Sequence, residues 1–222
     1  MGKISILTNQ QKKIIYQVAQ DPFLRKIFYF TGGTALSEFY LQHRLSDDLD
    51  FFTENKFESE IIFGKVSKWA KELKFEIKSS RFIEVVYRFE IFWPESNNTF
   101  WLDFAYYPYP RLEKGKNFEG LEIDSLKDIA VNKLLSISQR NDIKDFVDLH
   151  FILKENHFNI WELIYGVRRK FKQDSEILLL AEDLLKIEDF DYLPRMIKKL
   201  SLSEVKNYFR KLATSLGKKI IE

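Results

Sequence analysis

The sequence predicts an α+β fold: a mixed or antiparallel sheet with flanking helices over residues 1–124, followed by a C-terminal helical lobe over residues 125–222. Three observations predict it. Runs rich in β-branched and aromatic residues cluster between Phe28 and Ile123, interleaved with a few helical stripes. From Leu126 onward, apolar residues recur instead at three- and four-residue steps, with breaks at Asn141, 156–159 and 190–194. Finally, 21 Phe and 10 Tyr in a chain that is 45% hydrophobic supply the core for one large domain or two small ones.

The elements follow in order. Thr8 is a candidate N-cap for a helical segment over residues 9–28, with Ile14, Ile15, Val18 and Ala19 inward and a break at Asp21–Pro22. Phe28–Thr31 reads as a short buried strand running into Gly32–Gly33. Ala35, Leu36, Phe39 and Tyr40 then make one stripe of a helix over Thr34–His43, and Asp48–Thr53 is a second strand. Residues 57–73 form an amphipathic helix. Strands over 75–79, 83–93 and 99–107 make an antiparallel meander that continues the same sheet, turning near Arg81 and over 94–98. A polar connection leads to a short strand near 118–123. Ser125 or Asp124 caps the first of five helices, over 126–139, 143–154, 160–171, 176–187 and 202–216.

Composition narrows the function classes. The chain has no cysteine, which excludes disulfides, thiol nucleophiles and cysteine-ligated metals. No apolar run approaches the roughly 20 residues that span a bilayer, and the N-terminus turns polar too soon for a secretory signal, so a soluble cytoplasmic protein with no membrane partner is expected. A net charge of +2 argues against a whole-molecule electrostatic surface for nucleic acid. Arg168, Arg169, Lys170 and Lys172 form a local basic run that serves either as a binding surface or as a solvated helix face. His43, His150 and His157 lack metal-ligand spacing, and a Walker-type phosphate loop is not found.

The chemistry centres on residues 30–52. In an extended strand Asp48 and Asp50 project to one side while Leu49 and Phe51 point to the other. Two carboxylates aimed together repel unless a cation lies between them, which suits a hard divalent ion. The glycine pair permits close backbone approach to a ligand, and Thr34 adds a hydroxyl donor. Asp103 is the candidate third acid; either a metal or an ion pair with Lys or Arg would offset its burial. Asp47 has the wrong parity and reads as a turn residue. Arg44 would either clamp a phosphate or lie on the surface. Lys133 sits among apolar helix positions and needs an anionic partner, with Asp145 and Asp148 neighbours on one later helix face.

These residues carry a resemblance. GGTALSEFYLQHRLSDDLDFF, the LDF around Asp103 and DIAVNKLLSISQRNDIKDFVDLHFIL together resemble the AbiEii toxin family of nucleotidyltransferases, within the polymerase-β-like superfamily. The resemblance implies a nucleotidyltransferase-like sheet. It assigns Gly32, Gly33 and Thr34, with Lys133, to the nucleotide, and Asp48, Asp50 and Asp103 to Mg²⁺ or Mn²⁺; Arg44 joins the nucleotide-binding candidates through its own clamp reading. It further implies a helical Lys and Asp needed for activity, here Lys133 and either Asp145 or Asp148. The expected reaction moves an NMP from an NTP to an acceptor hydroxyl, with Asp103 also placed to act as base. Expected partners are a tRNA 3′ end as acceptor and a cognate antitoxin, in a toxin–antitoxin or phage-defence setting. Two alternatives stay open: a non-catalytic nucleotide- or metal-binding module, and a phosphotransferase acting on protein. The chain departs from the superfamily's shorter forms in the long interval between Thr34 and Asp48, which leaves the phosphate-to-metal geometry open.

Overall fold

The computed structural model describes residues 5–155, 157–173 and 176–221. The first four residues and Asn156, within the predicted break at 156–159, lie outside the described set. The chain divides into two compact units. One comprises residues 1–38, 46–110 and 114–124; the other comprises 39–45, 111–113 and 125–222. Two short pieces of the first half of the sequence therefore belong to the helical unit.

The first unit is built on a seven-stranded mixed sheet. Helix α1 (Asn9–Gln20) starts at Thr8 with a capping box shared with Gln11, and α2 (Leu24–Ile27) follows the break at Asp21–Pro22. The strands are β1 (Tyr29–Thr31), β2 (Leu49–Thr53), β3 (Glu76–Ile83), β4 (Val86–Trp93), β5 (Asn98–Tyr106), β6 (Lys116–Phe118) and β7 (Leu121–Ile123). They lie in the order β3-β4-β5-β2-β1-β7-β6. β3, β4 and β5 form the antiparallel meander, β2 runs parallel to β5, and β1 pairs antiparallel with β2 and parallel with β7. The buried side of β2 and β5 is aromatic: Phe51 stacks on Phe104 at 5.4 Å, and Phe28 meets Phe104 edge-on at 5.1 Å. Helix α4 (Ser59–Leu73) buries Ile62, Val66 and Trp69.

Three local expectations are corrected. The β3–β4 turn lies at Glu84–Val85, not near Arg81, and Glu84 adopts φ 53°. No glycine, proline or asparagine marks that turn, so composition gave no signal for it. The single strand expected near 118–123 is a hairpin, β6–β7, turning at Glu119 (φ 51°) and Gly120 (φ 88°). Helix α3 begins at Gly32, directly after β1, rather than at Thr34, and covers Gly32–Leu36. It widens into a π-helical turn over Ser37–Leu41, and Gln42 ends it at φ 50°.

The second unit holds α5 (Leu126–Gln139), α6 (Ile143–Lys154), α7 (Ile160–Phe171), α8 (Ile177–Leu185) and α9 (Leu202–Ile221). Helix α5 packs on α6 and α7, and α9 on α8 and α6. Ser125 caps α5, accepting from the amide of Asp128. At Gly166 of α7 a β-carbon would come within 2.4 Å of Val131 on α5, so glycine sets how closely these helices approach. Phe146 of α6 meets Phe209 of α9 edge-on at 5.4 Å. Among the described residues no helix is long and apolar enough to cross a membrane.

Candidate functional site

In the first unit the strand register brings two of the predicted acids, Asp50 and Asp103, to one row. Asp50 on β2 stands directly beside Asp103 on β5, and Thr31 on β1 lies opposite Asp50 on the other side. Such neighbours share one face of a sheet, so the two carboxylates are presented together. Asp48 lies one residue before β2, two before Asp50. The loop leading to it is held by Gln11, a buried side chain on α1 whose amide donates to the carbonyls of Ser46 (3.0 Å) and Asp47 (2.8 Å).

The glycine turn meets this row closely. Gly32 adopts φ 75°, and a β-carbon there would sit 2.0 Å from Asp50 Oδ2. Only glycine lets the carboxylate and the backbone come so near. Thr34 is fully buried and its hydroxyl donates to the carbonyl of Asp48. That bond closes the long interval between Thr34 and Asp48: the turn and the aspartates touch despite the residues between them. The Thr34 hydroxyl ties the glycine turn to the aspartate loop.

Asp103 has a partner that sequence reading did not name. Arg88 on β4 lies directly across from it and donates Nε to Oδ1 at 2.9 Å and Nη2 to Oδ2 at 2.6 Å. Arg88 is held more firmly protonated than usual, first by its hydrogen bond to Asp103, against burial, and then by the charges of Asp103, Asp50 and Asp48. One guanidinium thus feels all three acids. The signal was legible: counting back along β4 from Trp93, and forward along β5 from its partner Asn98, pairs Arg88 with Asp103.

Whether these residues suit a divalent ion rests on that arrangement. Among the described residues no three His, Cys, Asp or Glu side chains gather closely enough to hold a metal. The donor chemistry is of the kind a hard divalent ion takes: carboxylate oxygens, two of them on in-register residues, with Arg88 feeling the charge of Asp103, Asp50 and Asp48. Both oxygens of Asp103 accept from Arg88.

The second unit collects the other predicted residues into a buried ion cluster. Lys133 on α5 lies 2.7 Å from Asp145 and 2.7 Å from Asp148, both on α6. Arg140, at the end of α5, forks onto Asp145 at 2.7 and 3.1 Å. Asp148 also accepts from Arg44 Nε (2.6 Å) and Nη2 (2.8 Å) and from His43 Nε2 (2.7 Å). Arg44 is therefore not a surface residue; its bidentate fork rests on the Asp148 carboxylate. Burial would raise the Asp148 pKa, but Arg44 and Lys133 overcome it and hold the carboxyl well below its usual range. Burial would likewise discharge Lys133, yet Asp148 and then Asp145 keep it charged. Burial lowers the His43 pKa despite Asp148, so His43 is a neutral donor. Both candidate acids, Asp145 and Asp148, thus engage Lys133.

The basic run on α7 splits. Lys170 is buried against Asp128 at 2.6 Å, whereas Arg168, Arg169 and Lys172 are exposed around a recess of about 440 Å³ that includes Tyr165. Asp128 further accepts from Ser125 (2.7 Å) and from the amide of Leu112 (2.9 Å), which fixes the 111–113 segment to the helices.

Comparison with known proteins bears on the family and the fold. The model of the family described as "Nucleotidyl transferase AbiEii toxin, Type IV TA system" matches residues 13–214. The uncharacterized protein aq_aa25 of Aquifex aeolicus (strain VF5) is 34% identical over 173 residues, covering 73% of this chain and 74% of its own. Two crystal structures share the fold. One, a candidate nucleotidyltransferase from H. pylori, has a TM-score of 0.59 at 24% identity, covering 96% of this chain and 97% of the other. The second, JHP933 from Helicobacter pylori, has a TM-score of 0.55 at 23% identity, covering 96% and 94%.

Proposed function

This chain belongs to the AbiEii family of nucleotidyltransferase toxins of type IV toxin–antitoxin systems, and from that premise we propose that it transfers an NMP from an NTP to an acceptor hydroxyl, using a divalent cation held by Asp48, Asp50 and Asp103. The observation that carries the reading is the in-register pair Asp50 and Asp103 set against the backbone of Gly32. Mg²⁺, or Mn²⁺ in its place, would neutralise the triphosphate and the developing charge on the leaving pyrophosphate. The acceptor oxygen attacks the α-phosphorus, the bond to the bridging oxygen breaks, and pyrophosphate departs; Asp103 takes the acceptor's proton.

The remaining residues position. Gly32 and Gly33 offer backbone close enough to cradle phosphate, while Thr34 keeps the turn fastened to the aspartate loop. Gln11 holds that loop from the other side. In the helical unit, Lys133 is the nucleotide contact that the family motif implies. Asp145 and Asp148 keep it charged while occupying part of its hydrogen-bonding capacity. The acceptor we infer is the 3′ end of tRNA, with toxicity through loss of translation, neutralised by a cognate antitoxin. A cytoplasmic setting and a part in phage defence accompany that reading.

The test is where label goes. Purified protein is incubated with Mg²⁺, each NTP labelled on the α- or γ-phosphate, and either total tRNA or cell protein. α-Label on RNA is the expected result. γ-Label on protein would mean phosphotransfer, and bound nucleotide without transfer would mean a binding module; either outcome overturns the reading.

A further inference from the structure

A single cross-strand row runs Arg81 (β3), Arg88 (β4), Asp103 (β5), Asp50 (β2), Thr31 (β1), each residue in register with the next. Like charges set directly opposite are unfavourable in a sheet, and Arg81 opposite Arg88 is such a pair. Two features offset it. Trp101, two residues from Asp103 and on the same face, presents its ring 5.4 Å from the Arg88 guanidinium and 5.9 Å from that of Arg81. Asp103 takes the inner edge of Arg88 through Nε and Nη2.

The two partners differ in setting. The Asp103 side chain is 6% exposed, whereas that of Arg88 is 39% exposed. Nη1 of Arg88 makes no hydrogen bond among the described residues. One edge of the guanidinium is thus fixed on a buried carboxylate, and the other has donors and room to turn. Asp103 cannot serve a guanidinium and a divalent ion equally well, because two cations on one poorly solvated carboxylate repel each other.

We propose that Arg88 is the resident counter-ion of the carboxylate row: it neutralises Asp103 until a divalent cation binds there, then releases the carboxylate and turns its guanidinium to a phosphate of the NTP. This rests on the reading that Asp48, Asp50 and Asp103 hold the cation. The exchange conserves favourable contacts. Asp103 trades one cation for another, and Arg88 trades a carboxylate for a phosphate, which its planar fork matches equally well. Trp101 supplies a face on which the guanidinium stays stacked as it turns. A triphosphate arriving with its cation would thereby meet a positive group already poised beside the acids.

Mn²⁺ binding to nucleotide-free protein, followed by the paramagnetic resonance of the free ion, tests this. Arg88→Gln removes the charge and keeps much of the bulk. It is expected to bind Mn²⁺ about fivefold or more tightly than wild type, and to bind a non-hydrolysable NTP in the presence of Mn²⁺ about tenfold more weakly. Unchanged or weaker Mn²⁺ binding by the variant overturns the proposal and leaves the metal site standing. No Mn²⁺ binding by either protein overturns both. Should Arg88→Gln fail to fold, isotope-labelled wild type carries the same test. The Arg88 Nε–H resonance, identified by its loss in Arg88→Lys, is expected to lose its protection from solvent exchange when Mg²⁺ is added; an unaltered resonance overturns the proposal.

Discussion

Gly32 and Asp50 show how much one residue's size decides at this site: with a β-carbon 2.0 Å from Asp50 Oδ2, no other residue would leave the carboxylate where it is. His150 on α6 poses a different problem. It is 1% exposed, both ring nitrogens lack a hydrogen-bond partner among the described residues, and it meets Tyr208 of α9 edge-on at 4.8 Å. Burial lowers its pKa to about 4, aided by Lys154 and opposed by Glu204. A folded pKa below the unfolded value means that the neutral ring is what the fold accommodates. Its stabilising effect is complete above the unfolded value near 6.5 and is lost as pH falls toward the folded one. Wild type should therefore lose roughly 3 kcal/mol from this residue between about pH 7 and pH 4. Urea titrations across that range should show His150→Phe losing correspondingly less; equal losses in the two proteins would refute the assignment.

At the scale of elements, the α5–α6 pair is held by charge as well as by packing. Asp148 receives Arg44, His43 and Lys133 while itself fully buried, so its removal takes the carboxylate from buried Arg44 and leaves Lys133 with Asp145 alone. Asp148→Asn should cost about 3–5 kcal/mol, the usual cost of breaking a buried ion pair on one side, measured by chemical denaturation at neutral pH. A loss under about 1 kcal/mol would show that the cluster is not what holds these helices. These elements also mark how far sequence reading reaches. The bounds of α5, α6 and α7 were legible because apolar spacing, Ser125 and Asn159 announce them locally. The Arg44–Asp148 fork was not, because the partners lie 104 residues apart and nothing near Arg44 points to α6. Gln11 was missed for the same reason: its contacts to residues 46 and 47 are made by the fold. The β3–β4 turn was misplaced because a glutamate, rather than a glycine or asparagine, takes the positive φ. Arg88 lay within reach, since the turn at 94–96 fixes the register that sets it against Asp103.

At the scale of the whole molecule, family membership and fold agree, and two of the acids named from sequence alone, Asp50 and Asp103, fall in one row of one sheet. A helical stripe and an Asp-x-Asp strand suffice to locate such a row. They do not reveal that Arg88 shares it, or that Thr34 fastens the turn to the aspartate loop. The central claim is that the carboxylate row carries nucleotidyl transfer. The most direct measurement is single-turnover transfer of α-phosphate label to RNA by wild type and Asp50→Asn, each checked for an unchanged melting temperature and far-ultraviolet dichroism. Wild type should transfer label and the rate should fall by about a thousandfold or more in the variant, because an uncharged amide cannot replace a metal-holding carboxylate. Transfer by a folded Asp50→Asn protein at a rate near that of wild type would contradict the central claim.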